Sequence, residues 1–446
     1  LKTQHDTHAG LQERVLLVGL ERPGHDRWAV QDSLIELREL AETAGTVVLD
    51  TFTQKRNAPT AQTFIGKGKV GELDEHCRES GANMVIFDDD LSPAQAQNLS
   101  ELLGGNVKVL DRTELILDIF AQRARSREGK IQVELAQLEY MLPRLAGLWT
   151  HLSRQRGGVG ARGPGEQQLE VDRRRATEKI TRLKRELAEV RKNRRIERGG
   201  RQRLHWPVIS IIGYTNSGKS TLLNALTGAN VLAEDKLFAT LDPTTRKLRL
   251  ANNQNILLTD TVGFLRKLPH QLVEAFQATL EETVEADLLL HVVDVSHPKA
   301  AEQIKAVDVV LREIHAIGKP MVIALNKMDK LGDHQSNTLD RLLREFQHAV
   351  PISAKHGENL GALLEEISNQ LQDRRVEVTL AIPQERSQTI ALVYRCGYVT
   401  ERGLDNDKVL LKAQIPKVLA GELAPYVVAP SKSPGKKRRR ATPTAE

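Results

Sequence analysis

The sequence predicts an α/β chain in four folded segments: a small α/β domain, an antiparallel helical hairpin, a larger α/β domain built on a phosphate-binding loop, and a small α+β domain. Three observations predict it. Short apolar runs alternate with helical stretches over residues 12–110 and again from Trp206-Pro207 to 373, the pattern of sheets covered by helices. Between these regions two seams of apolar residues flank a glycine-rich break. The chain has 446 residues, more than the roughly 250–300 that one core sustains.

In the first domain (1–111) the strand candidates are VLLVGL at 15–20, TVVLD at 46–50, NMVIFD at 83–88 and VKVLD at 107–111. The helical stretches between them, SLIELRELAETAG, KVGELDEHCRESG and SPAQAQNLSELLGG, each end at glycine. In the hairpin (112–204), Ile131, Leu135, Leu138, Leu142 and Leu145 step by 4, 3, 4, 3, and Ile180, Leu183, Leu187 and Val190 step by 3, 4, 3. Both are seams for packed helices. The break between them, SRQRGGVGARGPGE at 153–166, holds five glycines and a proline, so the chain turns there and leaves a basic tip. The third domain (205–373) has strand candidates VISIIG, KLRLA, ILLTD, LLLHVVDV, MVIALN and VPIS. The fourth (374–430) contains VEVTLAI, IALVYRCGYVT and KVLLKAQI, which places Cys396 in a packed strand. Residues 431–446 have no apolar content to bury and are expected to be disordered.

Composition narrows the class. Hydrophobic residues make up 40% and charged residues 27%, as in ordinary soluble domains. No apolar run reaches the roughly 18 residues of a membrane span, and LKTQHDTHAG has no apolar signal core. Two cysteines make neither a disulfide framework nor a zinc site. The 13 histidines show no ligand spacing. A cytoplasmic location is expected. The net charge of +6 hides an uneven distribution: residues 173–203 hold 14 basic and 4 acidic side chains, and residues 431–446 hold 6 and 1. Such blocks on an otherwise acidic chain are the footprint of nucleic acid or another anionic surface.

The strongest chemical signal is Gly213-Tyr214-Thr215-Asn216-Ser217-Gly218-Lys219-Ser220, followed by Thr221. It is G-x4-G-K-[ST] between a strand and a helix, the setting of a phosphate-binding loop. Its glycines let backbone N–H groups approach the phosphates, and the following helix points its positive end at them. Lys219 is placed to reach the β- and γ-phosphates, and the Ser220 hydroxyl to ligate magnesium. Asn326-Lys327-Met328-Asp329 ends a strand, where ligands bind in such sheets. The Asp329 carboxylate can accept two N–H bonds from a guanine edge, and adenine lacks that donor pair. Ser353-Ala354-Lys355 can offer a backbone N–H to the guanine carbonyl. In Asp260-Thr261-Val262-Gly263, Asp260 would hold magnesium through water and the Gly263 N–H would sense the γ-phosphate. The loop Leu237-Phe238-Ala239-Thr240-Leu241-Asp242 continues to Thr244 and Thr245. Thr240 is favoured as a second magnesium ligand, with Thr244 the alternative. The catalytic assignments are therefore Lys219, Thr240 and Gly263, on a P-loop GTPase domain binding GTP or GDP.

FATLDPTTR, DTVGF, NKMD and SAK, together with SREGKIQVELAQLEYMLPRL at 126–145 and GGVGARGPGEQQLEVDRRR at 157–175, resemble the HflX family over residues 12–373. The resemblance implies a cytoplasmic GTPase that binds the large ribosomal subunit and splits or rescues stalled ribosomes, especially under heat stress. It places the glycine-rich loop 153–166 and the basic helix 173–203 against ribosomal RNA. Residue 264 is Phe where many GTPases orient water with Gln, so slow intrinsic hydrolysis, stimulated by the ribosome, is expected. Asn216 resembles the residue that holds potassium in cation-activated GTPases, where the ion would add positive charge beside the phosphates. The resemblance also raises a second, ATP-type nucleotide on the first domain, for which Gly66-Lys67-Gly68-Lys69 and Asp88-Asp89-Asp90 are the candidates. A monomer is expected.

Two other readings compete. One is an ATP-driven RNA or ribosome remodeller with a regulatory GTPase domain. The other is a signalling switch whose basic tail binds anionic lipid, which would make the chain partly membrane-associated.

Overall fold

The computed structural model describes residues 12–23, 27–155, 164–202, 206–228, 237–238, 240–252, 254–265, 277–332, 336–372, 375–405 and 407–428; over 27–29, 145–155, 164–169, 194–202 and 277–279, and at 336, 375 and 418, it describes the backbone path alone. Of the glycine-rich break 153–166, residues 153–155 and 164–166 are helical backbone and not part of a turn; residues 156–163, Ala239 and the tail 431–446 lie outside the described residues.

The N-terminal sheet is parallel, in the order β2-β1-β3-β4, from β1 (Arg14–Glu21), β2 (Val47–Lys55), β3 (Met84–Phe87) and β4 (Lys108–Asp111). β1 and β3 are apolar runs because both their faces are buried. On one face Leu16, Val18 and Phe87 pack with α2 (Lys67–Ser80) and α3 (Pro93–Leu102). Ser92 and Gln95 close a capping box at the start of α3, with Pro93 in its first turn. On the other face Val15, Leu17 and Ile86 meet α1 (Arg27–Thr43) and α4 (Arg112–Arg123). α4 thus packs on α1 and the N-terminal sheet, although its sequence had been grouped with the hairpin. Seven of its residues are buried, too many for an exposed arm.

The hairpin consists of α5 (Arg127–Gln155) and α6 (Pro164–Gln202). Ile131 and Leu135 interlock with Ile180, Leu183 and Leu187, the seam expected from the spacing. α5 is 29 residues long, about 43 Å at 1.5 Å per residue. The connection 156–163 reaches at most about 29 Å, so α6 must run back along α5.

The largest sheet has the order β10-β9-β8-β5-β7-β6. Its strands are β5 (Val208–Gly213), β6 (Thr244–Arg249), β7 (Asn255–Asp260), β8 (Leu288–Asp294), β9 (Met321–Asn326) and β10 (Ala349–Pro351). All pairs are parallel except β6 with β7. The helices are α7 (Lys219–Thr227), α8 (Gln277–Glu285), α9 (Ala300–Glu313), α10 (Ser336–Glu345) and α11 (Leu360–Gln372). This is the P-loop α/β architecture the sequence predicted.

The C-terminal sheet is antiparallel, in the order β11-β13-β12, from β11 (Arg375–Pro383), β12 (Tyr398–Asp405) and β13 (Lys408–Pro416). α12 (Ser387–Cys396) and α13 (Lys417–Leu423) complete it. Cys396 is the buried last residue of α12, where a strand had been expected. Ile390, Val393 and Cys396 recur every three residues, a helical period, and Gly397 ends the helix. Burial raises the Cys396 thiol pKa, consistent with packing rather than reactivity.

Candidate functional site

The P-loop leaves the carboxyl end of β5 and turns into α7 through two glycines no other residue could replace without strain. Gly213 has φ +150° and a Cβ there would run into the Val292 carbonyl oxygen. Gly218 has φ +94° and a Cβ would strike the Asn326 side-chain amide. Asn216, at φ +57°, is a residue type that tolerates the left-handed region. Phe264 N–H donates to Gly213 O (3.0 Å) and Thr215 N–H to Phe264 O (2.8 Å), which ties the Asp260–Gly263 segment to the loop. Gly263 lies against Lys219: a Cβ at residue 263 would sit 2.9 Å from Lys219 Nζ and from Thr215 Cα. The Phe264 ring is 2% exposed and packs with Ile212 and Leu280 in the core, so it offers no polar group to an attacking water.

Lys219 is buried and folds across the loop, donating to Tyr214 O (2.7 Å) and Gly213 O (3.2 Å). Burial pulls its pKa down to about 8, against the raising effect of Asp260. Ser220 Oγ lies 2.8 Å from Thr240 Oγ1 and donates to Asp260 Oδ2 at 2.7 Å. Asp260 is fully buried and its Oδ1 has no hydrogen-bond partner among the described residues; burial raises its pKa. Two hydroxyls and a carboxylate with a spare buried oxygen form a hard-oxygen corner that suits magnesium. Thr244, the alternative to Thr240, instead begins β6 opposite Asp260. Among the described residues no cluster of three or more His, Cys, Asp or Glu could hold a metal.

The third corner is built on Asn326, 2% exposed. Its Nδ2 donates to Ser217 O (2.8 Å) and its Oδ1 accepts from Ala354 N–H (2.9 Å), so one amide binds the P-loop to the Ser353–Lys355 turn. Lys327 takes φ +66° and pairs with Asp294 at 2.7 Å. Met328 opens a 3-10 turn holding Asp329. Asp329 Oδ1 accepts from Ser353 Oγ at 2.6 Å, and this bond lowers its pKa, which keeps it an acceptor. Lys355 is exposed. Residues from all five stretches singled out in the sequence thus meet at the carboxyl ends of β5, β7, β9 and β10.

The structure also shows partners that no local sequence signal marks. Tyr214 donates its hydroxyl to Glu36 on α1. Glu36 pairs with Arg112, which also pairs with Asp88 at 2.7 Å. A cleft of about 330 Å³ lies between α1, Tyr214–Asn216 and His297–Gln303. Leu237, Phe238 and Leu241 are buried in the same cluster as α1 and α4 residues, and the Phe238 ring meets Phe120 edge-on with centroids 4.6 Å apart. The Asp242 carboxylate, counted among the nucleotide contacts from sequence, accepts backbone N–H groups from Arg125 and Ser126.

On the N-terminal domain, Asp88 is 3% exposed and engaged by Arg112 and Ser33. Asp90 accepts from Thr113. Lys69 is paired with Glu72 and lies over the Phe52 ring. The two candidate stretches for a second nucleotide are therefore largely engaged within the domain, and we assign them no ligand.

Comparison with known proteins fits this geometry. Family profiles match along the chain: a GTP-binding GTPase N-terminal region over 31–121, a GTP-binding GTPase middle region over 123–201, a 50S ribosome-binding GTPase domain over 208–327 and an HflX C-terminal domain over 338–427. The GTPase HflX of Caldanaerobacter subterraneus subsp. tengcongensis is 46% identical over 94% of this chain and 94% of that protein. The GTPase HflX of Escherichia coli is 43% identical over 87% of this chain and 90% of that protein. A GTP-binding protein from the archaeon Sulfolobus solfataricus, solved with GDP, is 28% identical over 81% of this chain and 99% of that one, with a TM-score of 0.44. The P-loop, the guanine-type corner and the matches along the chain place it in the HflX family of GTPases, enzymes that hydrolyse GTP.

Proposed function

We propose that this chain binds the large ribosomal subunit in its GTP-bound form, splits or frees stalled ribosomes under heat or other stress, and is released by hydrolysis. Asp329 and the Ala354 turn take the guanine, Gly213–Thr221 cradle the phosphates, and Lys219 neutralises the β- and γ-phosphates. Ser220, Thr240 and Asp260 would hold magnesium, Asp260 through water. Bound there, the ion supplies positive charge to the phosphates. The Gly263 N–H senses the γ-phosphate, and Asn216 is assigned to a potassium ion beside it.

One observation carries the ribosomal part of the reading: α6 presents Arg173, Arg174, Arg175, Arg182, Lys184, Arg185 and Lys192 on its exposed surface while its apolar seam faces α5. That is an electrostatic surface suited to RNA phosphates. The ribosome-binding description of the matched GTPase domain agrees with it. The buried Phe264 supports slow intrinsic turnover that the ribosome stimulates.

The test is GTP hydrolysis with and without purified large subunits, in potassium and in sodium, beside light scattering of intact ribosomes. Stimulation by the subunit with loss of the intact-ribosome signal supports splitting, and stimulation without that loss limits the chain to subunit binding. Equal rates in potassium and sodium remove the Asn216 assignment. Absence of both stimulation and salt-sensitive binding refutes the proposal.

A further inference from the structure

We propose that Asp242 is a positioning residue for GTP hydrolysis, which holds Thr240 at the magnesium corner by capping the first helix of the RNA-facing hairpin. The inference rests on the assignment of Thr240 as a magnesium ligand.

Thr240 sits between two anchors, and both are built by α4, α5 and the turn between them. On one side, Phe238 has φ +54°, an uncommon and costly conformation for a bulky residue. It is held there by burial and by the edge-on contact with Phe120 of α4. On the other side, the Asp242 carboxylate accepts the backbone N–H groups of Arg125 (2.9 Å) and Ser126 (2.8 Å) and the Ser126 hydroxyl. Ser126 Oγ in turn accepts the Gly129 N–H (2.9 Å), and Ser126 O accepts from Lys130. Ser126 is thus the N-cap of α5, and Asp242 supplies a negative charge where that helix presents unpaired N–H groups and its positive end. Gly129 shows how closely the carboxylate is seated. A Cβ at residue 129 would lie 2.6 Å from Asp242 Oδ1.

Displacing α5 separates the Asp242 carboxylate from the Arg125 and Ser126 donors. Thr240, two residues away, then leaves Ser220. The orientation of the hairpin is read out at the phosphates through one carboxylate.

The test uses the full chain, with steady-state GTP hydrolysis measured across a magnesium titration. Asp242→Ala is expected to raise the magnesium needed for half-maximal rate about tenfold, the scale of losing hydrogen bonds to a charged group. It should lower kcat more than it changes KM for GTP, while GDP affinity stays within about twofold. Asp242→Asn, which keeps an acceptor oxygen, should recover part of the loss. Ser126→Ala should shift the titration in the same direction.

Gly129→Ala supplies a readout that loss of stability would not move. Alanine favours helix over glycine by about 1 kcal/mol, yet this change should impair hydrolysis when Asp242 is present and add nothing in an Asp242→Ala background. If Thr240→Ala raises the magnesium requirement but Asp242→Ala and Gly129→Ala leave it at the wild-type value, the proposal is overturned and the magnesium assignment stands. If Thr240→Ala leaves it unchanged, the assignment itself fails and the proposal falls with it.

Discussion

Replacing Arg112 by Met should loosen the N-terminal domain. The guanidinium is 2% exposed and pairs with Glu36 and Asp88. Burial alone would lower its pKa, but Glu36 and Asp88 raise it overall, so the side chain stays charged. Removing one partner of a buried ion pair costs about 3–5 kcal/mol, because the other charge is left unpaired. Here the lower end applies: Ser33 still donates to Asp88 at 2.7 Å and Tyr214 still donates to Glu36. About 3 kcal/mol is roughly a 150-fold rise in the open fraction. Native-state hydrogen exchange of β3 and α4 amides in the full chain reads this directly. Exchange in Arg112→Met, corrected for intrinsic rates, should exceed wild type by about that factor. A rise of less than about tenfold would refute the reasoning.

Further outcomes follow from the nucleotide site and its support. Lys219 has its pKa pulled to about 8 by burial, and phosphates should raise it again. Nucleotide binding therefore takes up a proton above pH 8 and weakens as pH rises further, which calorimetry in buffers of different ionisation enthalpy will detect. Asn326→Ala removes two hydrogen bonds, to Ser217 O and from Ala354 N; at about 1 kcal/mol each, GDP affinity should fall roughly 30-fold in fluorescence titration. Burial, then Asp111, pushes Glu114 up to about 7. A raised carboxylate pKa costs stability as pH climbs from the unfolded value through 7, so Glu114→Gln should raise the melting temperature at pH 8 and not at pH 5.

The fold was legible where one segment's pattern decides the outcome. β1 and β3 are apolar because both faces are covered, and the α5 and α6 seams were visible as 3-and-4 spacing. The P-loop was legible because glycine at 213 and 218 is demanded by the backbone itself. The strand expected at Cys396 reflects how apolar IALVYRC is, whereas the three-residue recurrence of Ile390, Val393 and Cys396 against β13 marks a helix. The partners of the loop at 237–242 were not legible. Phe120, Ser126 and Gly129 lie more than a hundred residues earlier, and nothing in their local sequence marks an edge-on ring, a shared cap or a carboxylate in the space of a missing Cβ. Glu36 and Arg112 likewise read as ordinary surface charges until the fold buries them.

The length of the hairpin gives its root a mechanical advantage. Measured from Ser126 at the elbow, α5 extends about 43 Å at 1.5 Å per residue. A swing of about 10° at the elbow would carry the distal end through roughly 8 Å at that rise, more than the spacing of successive phosphates on a nucleic-acid strand. An atom about 4 Å from the pivot moves by about 0.7 Å in the same swing, the amount that takes a hydrogen bond of about 2.8 Å out of bonding distance. Displacement is thus geared down about tenfold from the far end of the arm to the elbow, and force is geared up by the same ratio.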